Sequence, residues 1–532
     1  MIESLIAFGS AIALESTSWQ SSQPRPLENQ SNLIAQSSEN SPESLRFPIK
    51  EFRLQGNTLL STAELQAQLQ IFLGENRTLS DLIAAQETLR QAYQAAGYGL
   101  VSINLPQRLD LDGIFQIEVV EIRLAKITIT GNQHFSNETI RAALPALQEG
   151  SSPNLNILAR QLFLANDNSD RQLILDFQSA APGTSKVEIK VQDSNPQHWA
   201  IRLDNTGTEL TGRTRLSLFG QNSNLWERGH LAAFSLTLSP EKLDKVRQFG
   251  LFYQAPIPEW GDEINFNASY SDVNSGRIAD IFNVTGRGYG TGLHLLHNLS
   301  RSALERHTLD LGLDYRLFQN TIDFFGINLG ADVAAVPISL GYQYTARWGE
   351  ENFGFGVNYQ RNIPGILGKN DEQTYNNSRL GATVNWSLVE GNLSYQRQIA
   401  GWLLNFQIAG QYAGQPLIAG EQLGLGGART IRGLEEREVA GDDGICASLE
   451  IYTPDLGAGD RLLVFTDFGR YWRQNPLPGE VRHDNIWTAG MGWRWNLPNQ
   501  FNAGVDLGYA IDGATLTKSG DLRLHFNLQY QF

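Results

Sequence analysis

The chain has 532 residues, a net charge of −15, 18% charged and 10% aromatic residues, 51 glycines and a mean hydropathy of −0.28. This length exceeds one ordinary core and predicts several domains, while the acidic balance, with no basic stripe, excludes a nucleic-acid binder. No window of about 18 apolar residues is present, which excludes membrane-spanning helices. Cys446 is the sole cysteine, so neither an intrachain disulfide nor a CxxC metal site is expected, and no nucleotide or other cofactor motif is found.

Residues 4–14, SLIAFGSAIAL, match the apolar core of a secretory signal without a preceding Lys or Arg; the alternative is a plug-like segment. Residues 17–46 that follow, rich in Ser, Gln, Asn, Pro and Glu, are too poor in large apolar groups to offset the entropy of ordering and read as a linker, so that residues 1–46 are a signal or plug segment and a disordered linker. Residues 47–122 read as a small α+β domain in the order β-α-α-β-β. Ser61 and Glu64 predict a capping box before a helix through Phe72, and a second helix starts at Ser80 and stops at Gly97. Leu100–Pro106 and Ile114–Ile122 then alternate as strands. Residues 123–195 repeat the order, through KITITGN, helices after Ser136 and over Leu155–Ala165, RQLILDF and KVEIKVQ. Asp167 and His134 read as ordinary loop residues.

From residue 196 to 532 helical periodicity gives way to period-2 alternation. In the last segment Leu522, Leu524, Phe526, Leu528, Tyr530 and Phe532 share one face, and Asp521, Arg523, His525, Asn527, Gln529 and Gln531 the other. A soluble sandwich would turn the apolar face inward; a membrane barrel turns it to lipid and keeps a polar lumen. Acids, guanidiniums and glycines mixed on the polar faces, and Trp and Tyr near strand ends, favour the membrane barrel, with an even count of sixteen antiparallel strands. Leu393–Gln398 is the strand hardest to delimit.

Residues 421–445, opening EQLGLGGARTIRGLEER, interrupt this pattern. Gly424, Gly426, Gly427, Gly433 and Gly441 bracket Arg429 and Arg432, which predicts a glycine-shaped loop between strands eleven and twelve, on the side away from the chain termini. In the strand RLLVFTDFGRYW, Phe465, Asp467, Gly469 and Tyr471 share the lumen face. A bidentate pair between Arg432 and Asp467 follows if the loop folds inward; otherwise both charges are separately hydrated.

The loop, followed by FTDFG, resembles the inward-folded loop and F-x-D-x-G strand motif of the two-partner secretion transporters, outer-membrane proteins that export haemolysin- and haemagglutinin-type partners. The two repeats resemble their polypeptide-transport-associated (POTRA) domains, through Gly56-Asn57, AAGY at Ala95–Tyr98, LPQ at Leu105–Gln107, Gly131-Asn132 and Asn166-Asp167. The resemblance implies that Arg432 meets Asp467 inside the barrel as a latch, with Gly426, Gly427 and Gly433 shaping the loop. Leu434 departs from the family's aromatic after Arg-Gly and puts stacking at the tip in doubt.

By that resemblance the chain is a monomeric outer-membrane exporter with its POTRA domains in the periplasm. It would carry an unfolded partner exoprotein, one with an N-terminal β-helical secretion domain, without ATP. The client would add to a POTRA sheet edge, with Leu100, Val101, Ile103 and Leu105 as candidate contacts, and the loop would gate the lumen. The alternative is a barrel-assembly insertase. A passive porin or adhesin barrel has no use for the repeats, and His307, His483 and His525 sit in no nucleophile motif, so an enzyme is not expected.

Overall fold

A computed structural model of the chain describes residues 46–106, 112–278, 282–302, 304–324, 327–328, 330–457, 459–476, 479–497 and 501–532. The segment 4–14, the linker up to residue 45 and Gln107 of the LPQ motif lie outside the described residues. The described residues divide into one unit ending at Ser194 and another starting at Asn195.

The first unit contains β1 (Phe47–Ile49), β2 (Glu51–Gln55), α1 (Thr62–Leu69), β3 (Gly74–Arg77), α2 (Leu79–Ala95), β4 (Val101–Asn104) and β5 (Ile114–Glu121). It continues with β6 (Arg123–Thr130), α3 (Asn137–Ala143), α4 (Leu155–Ala165), β7 (Arg171–Ser179) and β8 (Thr184–Asp193). The two main sheets match: β2-β5-β4 with β2 parallel to β5, and β6-β8-β7 with β6 parallel to β8. An additional short ladder, β1 with β3, was not visible in the alternation. Leu65, Leu82, Leu89, Tyr93, Phe115 and Ile117 form one core, and Leu124, Ile140, Leu158, Leu173, Val187 and Ile189 the other.

The repeated Gly-Asn has a repeated physical cause. Gly56 and Gly131 hold φ of +91° and +88°, and a Cβ on either would overlap the carbonyl oxygen of Val119 or Val191. Asn57 then donates to the Leu60 carbonyl and Thr62, and Asn132 to the Phe135 carbonyl and Asn137. Each turn's amides are collected by a carboxylate from the last strand of the sheet. Glu121 accepts from the Thr58 and Leu59 amides (2.7 and 2.8 Å), and Asp193 from those of Gln133, His134 and Phe135 (2.8–3.0 Å). Burial raises the Glu121 carboxyl, but bonds from Thr58, Leu59 and Tyr93 outweigh it and hold it below the ordinary value. The expected Ser61–Glu64 capping box does not form: Ser61 makes no side-chain cap bond and α1 stops at Leu69, followed by a single 3₁₀ turn to Phe72. The box forms instead between Thr78 and Asp81, which starts α2 one residue earlier than expected.

The second unit runs β9 (Gln197–Asp204), β10 (Arg215–Leu225), β11 (His230–Leu238), β12 (Val246–Ile257), β13 (Asp262–Ile278), β14 (Phe282–Arg301), β15 (Glu305–Phe324), β16 (Ile327–Asn328) and β17 (Val333–Ala335). Next come β18 (Pro337–Trp348), β19 (Glu351–Asn362), α5 (Glu372–Ser378), β20 (Ser387–Ile399), β21 (Trp402–Tyr412), β22 (Leu423–Leu425) and β23 (Val439–Gly441). The chain ends with β24 (Asp443–Tyr452), β25 (Asp460–Trp472), β26 (His483–Leu497), β27 (Phe501–Asp512) and β28 (Leu522–Gln531). Sixteen long antiparallel strands close into a barrel, β28 pairing with β9 from Asn527–Asp204 to Gln531–Ala200; β16 and β17 only edge the end of β15. The side chain of Asn205 prolongs that seam by donating to the Leu524 carbonyl and accepting from the Phe526 amide. Leu462, Val464, Phe468, Met491, Leu522 and Leu524 point outward and are exposed, as a lipid-facing wall requires. Exposed Trp199, Trp226, Trp260, Trp348, Trp402 and Trp493 gather at the rim carrying the short turns, the position of an interfacial girdle.

Candidate functional site

The loop between β21 and β24 folds into the lumen. Its base is a small hairpin, Leu423–Gly441 to Leu425–Val439, so the stretch read as wholly irregular carries one short ladder. Beyond it Gly426, Gly427 and Gly433 all hold φ near +100° (+112°, +99°, +98°). A Cβ at Gly426 would overlap the Glu435 carbonyl and one at Gly427 the Glu436 carboxylate, which in turn accepts from the Ala428 amide. Thr430 closes the turn by bonding both the amide and the carbonyl of Gly426.

This shape delivers Arg432 to the wall. Its guanidinium meets Asp467 through two bonds, Nε to Oδ2 at 2.8 Å and Nη2 to Oδ1 at 2.7 Å, and its own amide donates to Oδ2 at 3.0 Å. Nη1 reaches Glu450 at 2.6 Å and Nη2 reaches Ser448 at 3.0 Å. The guanidinium carbon lies 3.6 Å from the centroid of the Phe465 ring, a cation–π contact. Arg432 is 5% and Asp467 1% exposed, so the cation and both carboxylates are desolvated together and depend on each other. The next residue, Gly433, donates its amide to Nε2 of His525 at 3.0 Å, which fixes His525 as the neutral ring protonated at Nδ1.

The alternation of the FTDFG strand now has a chemical reading. Phe465 stacks on the guanidinium, Asp467 pairs with it, and Gly469 leaves room for Ile431, whose Cδ1 a Cβ there would overlap. Gly508 does the same on β27: a Cβ there would lie 2.6 Å from the Gly433 amide nitrogen. Leu425, Ile431, Leu434 and Val439 pack with Tyr471 and Ile486 of the wall, with Cys446 partly buried beside them. Leu434, fully buried, therefore occupies an apolar socket rather than an aromatic stack.

Further charges tie the loop to opposite sides of the lumen. Glu421 pairs with Arg316 of β15 at 2.7 Å, and Arg316 is aligned by Asp314 and Gln360. On the other side Glu435 meets Arg523 of β28 at 3.1 Å, and Glu438 collects the amides of Leu516 and Thr517. As β15 and β28 are the seventh and sixteenth strands of the wall, the loop crosses the lumen. A polar cavity of about 390 Å³ lies at its tip, lined by Arg202, Arg429, Gln407, Asn502 and Gln529 among others. Glu450, Ser448 and His525 were missed as partners of the loop, although all three sit on the lumen parity of their strands. Arg316 and Glu421 carry no local signal, being 105 residues apart.

The candidate client contacts lie in the first unit. β4 is an edge of its sheet, yet Ile103 is buried in the core, Leu100 is only half-buried, and Val101 and Leu105 pack partly against that core. The Ile103 carbonyl accepts from Gln86, so part of that edge is capped. Among the described residues no His, Cys, Asp and Glu side chains gather as a metal site.

Comparison with known proteins agrees with this architecture. The family model for haemolysin secretion/activation proteins of the ShlB/FhaC/HecB type matches residues 183–495, and the ShlB-type POTRA model matches residues 47–121. The outer membrane transporter CdiB of Dickeya dadantii is 25% identical over 443 residues, covering 80% of this chain and 76% of that protein. The heme/hemopexin transporter protein HuxB of Haemophilus influenzae is 22% identical, covering 88% and 85%. The solved structure of CdiB from Escherichia coli superposes with a TM-score of 0.73 at 18% identity, over 94% of this chain and 93% of that one. With the family model spanning more than half its length, the chain belongs to the haemolysin secretion/activation family, the outer-membrane transporters of two-partner secretion.

Proposed function

We propose that the chain exports a large unfolded partner exoprotein, of haemolysin or adhesin type, from periplasm to cell surface without ATP, residues 47–122 and 123–195 serving as client-binding POTRA domains. The observation that carries this reading is the loop held across the lumen by Arg432 on Asp467. A barrel filled in this way passes no chain until the loop moves, and the loop is fixed mainly by side chains, so it can move with every wall ladder intact. The free edges of the two small sheets offer main-chain pairing to an extended client without demanding one sequence. The partner would carry an N-terminal β-helical secretion domain, and the transporter would work as a monomer in outer-membrane lipid. No step requires a catalytic group or cofactor.

The test is secretion of a partner encoded beside this chain, in cells with the wild type, with Arg432→Ala, and with neither. Export is expected with the wild type, to fall at least roughly tenfold with Arg432→Ala at unchanged barrel abundance, and to vanish without the chain. A general loss of other outer-membrane barrels, with the partner still exported, would instead identify an insertase.

A further inference from the structure

At the rim of the long loops, opposite the short turns, a second carboxylate is buried as deeply as Asp467. Asp442, wholly inaccessible, precedes the first residue of β24. It binds both guanidinium nitrogens of Arg379, Nη2 at 2.9 Å, and also accepts from the amides of Leu417 (2.9 Å) and Gln474 (2.7 Å) and from Gln422 Nε2 (3.0 Å). Four segments thus converge on one side chain: the β19–β20 connection through Arg379, the exit of β21, the lumen loop itself, and the β25–β26 connection.

The β19–β20 connection is itself a folded body. α5 is capped by Asp371, and Tyr375 and Trp386 are fully buried with Ala382 and Val384, with Val333 of β17, and with Leu417 and Ile418 from the connection that follows β21, so the two connections also share an apolar contact. Asn362, nearly inaccessible, binds Asn370 and the Val384 carbonyl and accepts from the Val336 amide, so the polar interior is satisfied internally. Within this network Arg379 is the side chain by which the β19–β20 connection holds the lumen loop ionically, reaching also the Leu417 and Gln474 carbonyls (2.6 and 3.3 Å).

We infer that Arg379 and Asp442 form a second latch, in series with Arg432 and Asp467, which locks the folded β19–β20 connection to the root of the lumen loop at the exit side. This inference rests on the export reading, but its physical content is a closed exit, which is measurable without a client. Asp442 belongs to the loop root and Arg432 to its tip, so freeing one end leaves the other held. Arg379 is a positioning residue: it acts on the passage through Asp442.

The test uses the full chain, refolded into planar lipid bilayers, with ion conductance as the readout. Arg379→Ala and Arg432→Ala should each raise conductance slightly, while Arg379→Ala/Arg432→Ala should exceed Arg432→Ala by roughly tenfold. Arg379→Lys, which keeps the charge but not the two-pronged contact, should fall between Arg379→Ala and wild type in the Arg432→Ala background. Heat-modifiable migration confirms that each barrel is closed, and Asp442→Asn, which keeps the side chain's shape but loses the charge and turns one accepting oxygen into a donor facing Arg379 or a backbone amide, supplies an independent route should Arg379→Ala misassemble. A double variant no more conductive than Arg432→Ala, or Arg379→Lys equal to Arg379→Ala, overturns the second latch. If conductance rises as expected while no partner is secreted by the wild type, the latch stands and the export reading falls.

Discussion

The barrel wall and the loop inside it are built from the same chain by opposite means. Each long strand is joined to its neighbours by a main-chain ladder of eight or more pairs nearly everywhere, the five-pair seam of β28 with β9 being the exception. The loop has one three-pair ladder of its own and otherwise holds to the wall mainly through side chains, among them Arg432, Glu421, Glu435, Glu438 and, at its root, Asp442, and through an apolar cluster. Ladders give way only together, whereas side-chain contacts release one by one. The difference teaches that the loop is fixed by another class of bond than the wall, and not by less burial, since Arg432 and Asp467 are as buried as core residues.

That contrast can be broken at graded cost. Arg432→Ala strips the cation from Asp467 and Glu450, and should weaken loop docking by about 3–5 kcal/mol with the barrel still closed. Limited proteolysis within residues 426–438 checks this, since the wild type should resist cleavage and the variant should not. Leu434→Ala empties the apolar socket and should weaken docking by about 2–4 kcal/mol without touching any charge, giving intermediate cleavage. Gly508→Ala alters the wall rather than the loop. Its new Cβ presses on the Gly433 backbone, and we expect a loss of about 1–3 kcal/mol in the same assay with unchanged heat-modifiability.

The smallest effect lies in the first repeat. The Glu121 carboxyl titrates lower folded than unfolded, so its contribution is complete above the ordinary value of 4.5 and is lost as pH falls through the folded value. Acid should therefore speed amide exchange at Thr58 and Leu59. Glu121→Gln should be looser by about 1 kcal/mol at neutral pH and lack that acid response. Equal acid sensitivity in both proteins would mean that the turn is held by something other than this carboxylate.

Much of this was legible in the chain because the signals are local. Period-2 alternation marks the wall, Gly-Asn marks each turn, and the parity of Phe465, Asp467 and Gly469 marks one lumen face. What escaped was set by partners distant in sequence or by competition among near ones. Ser61 has the right neighbour in Glu64 yet makes no side-chain cap bond, and the amides of the turn just before it, those of Thr58 and Leu59, go to Glu121, 63 and 62 residues later in the chain. The ladder of β1 with β3 has too few residues for any period to show. Arg379 meets Asp442 across 63 residues, and neither stands in a pattern that names the other. Glu450 and Ser448, by contrast, were readable: the alternation of Ala447, Leu449 and Ile451 leaves them on the lumen side.

One modest feature gives this protein a use beyond its transport. Its single thiol, Cys446, sits on β24 in the lumen wall, half covered by the apolar cluster of the loop. No residue needs to be replaced or added to place a probe there. A maleimide dye or spin label meets one site per molecule, and the rate at which it attaches reports whether, and how often, the loop leaves the wall.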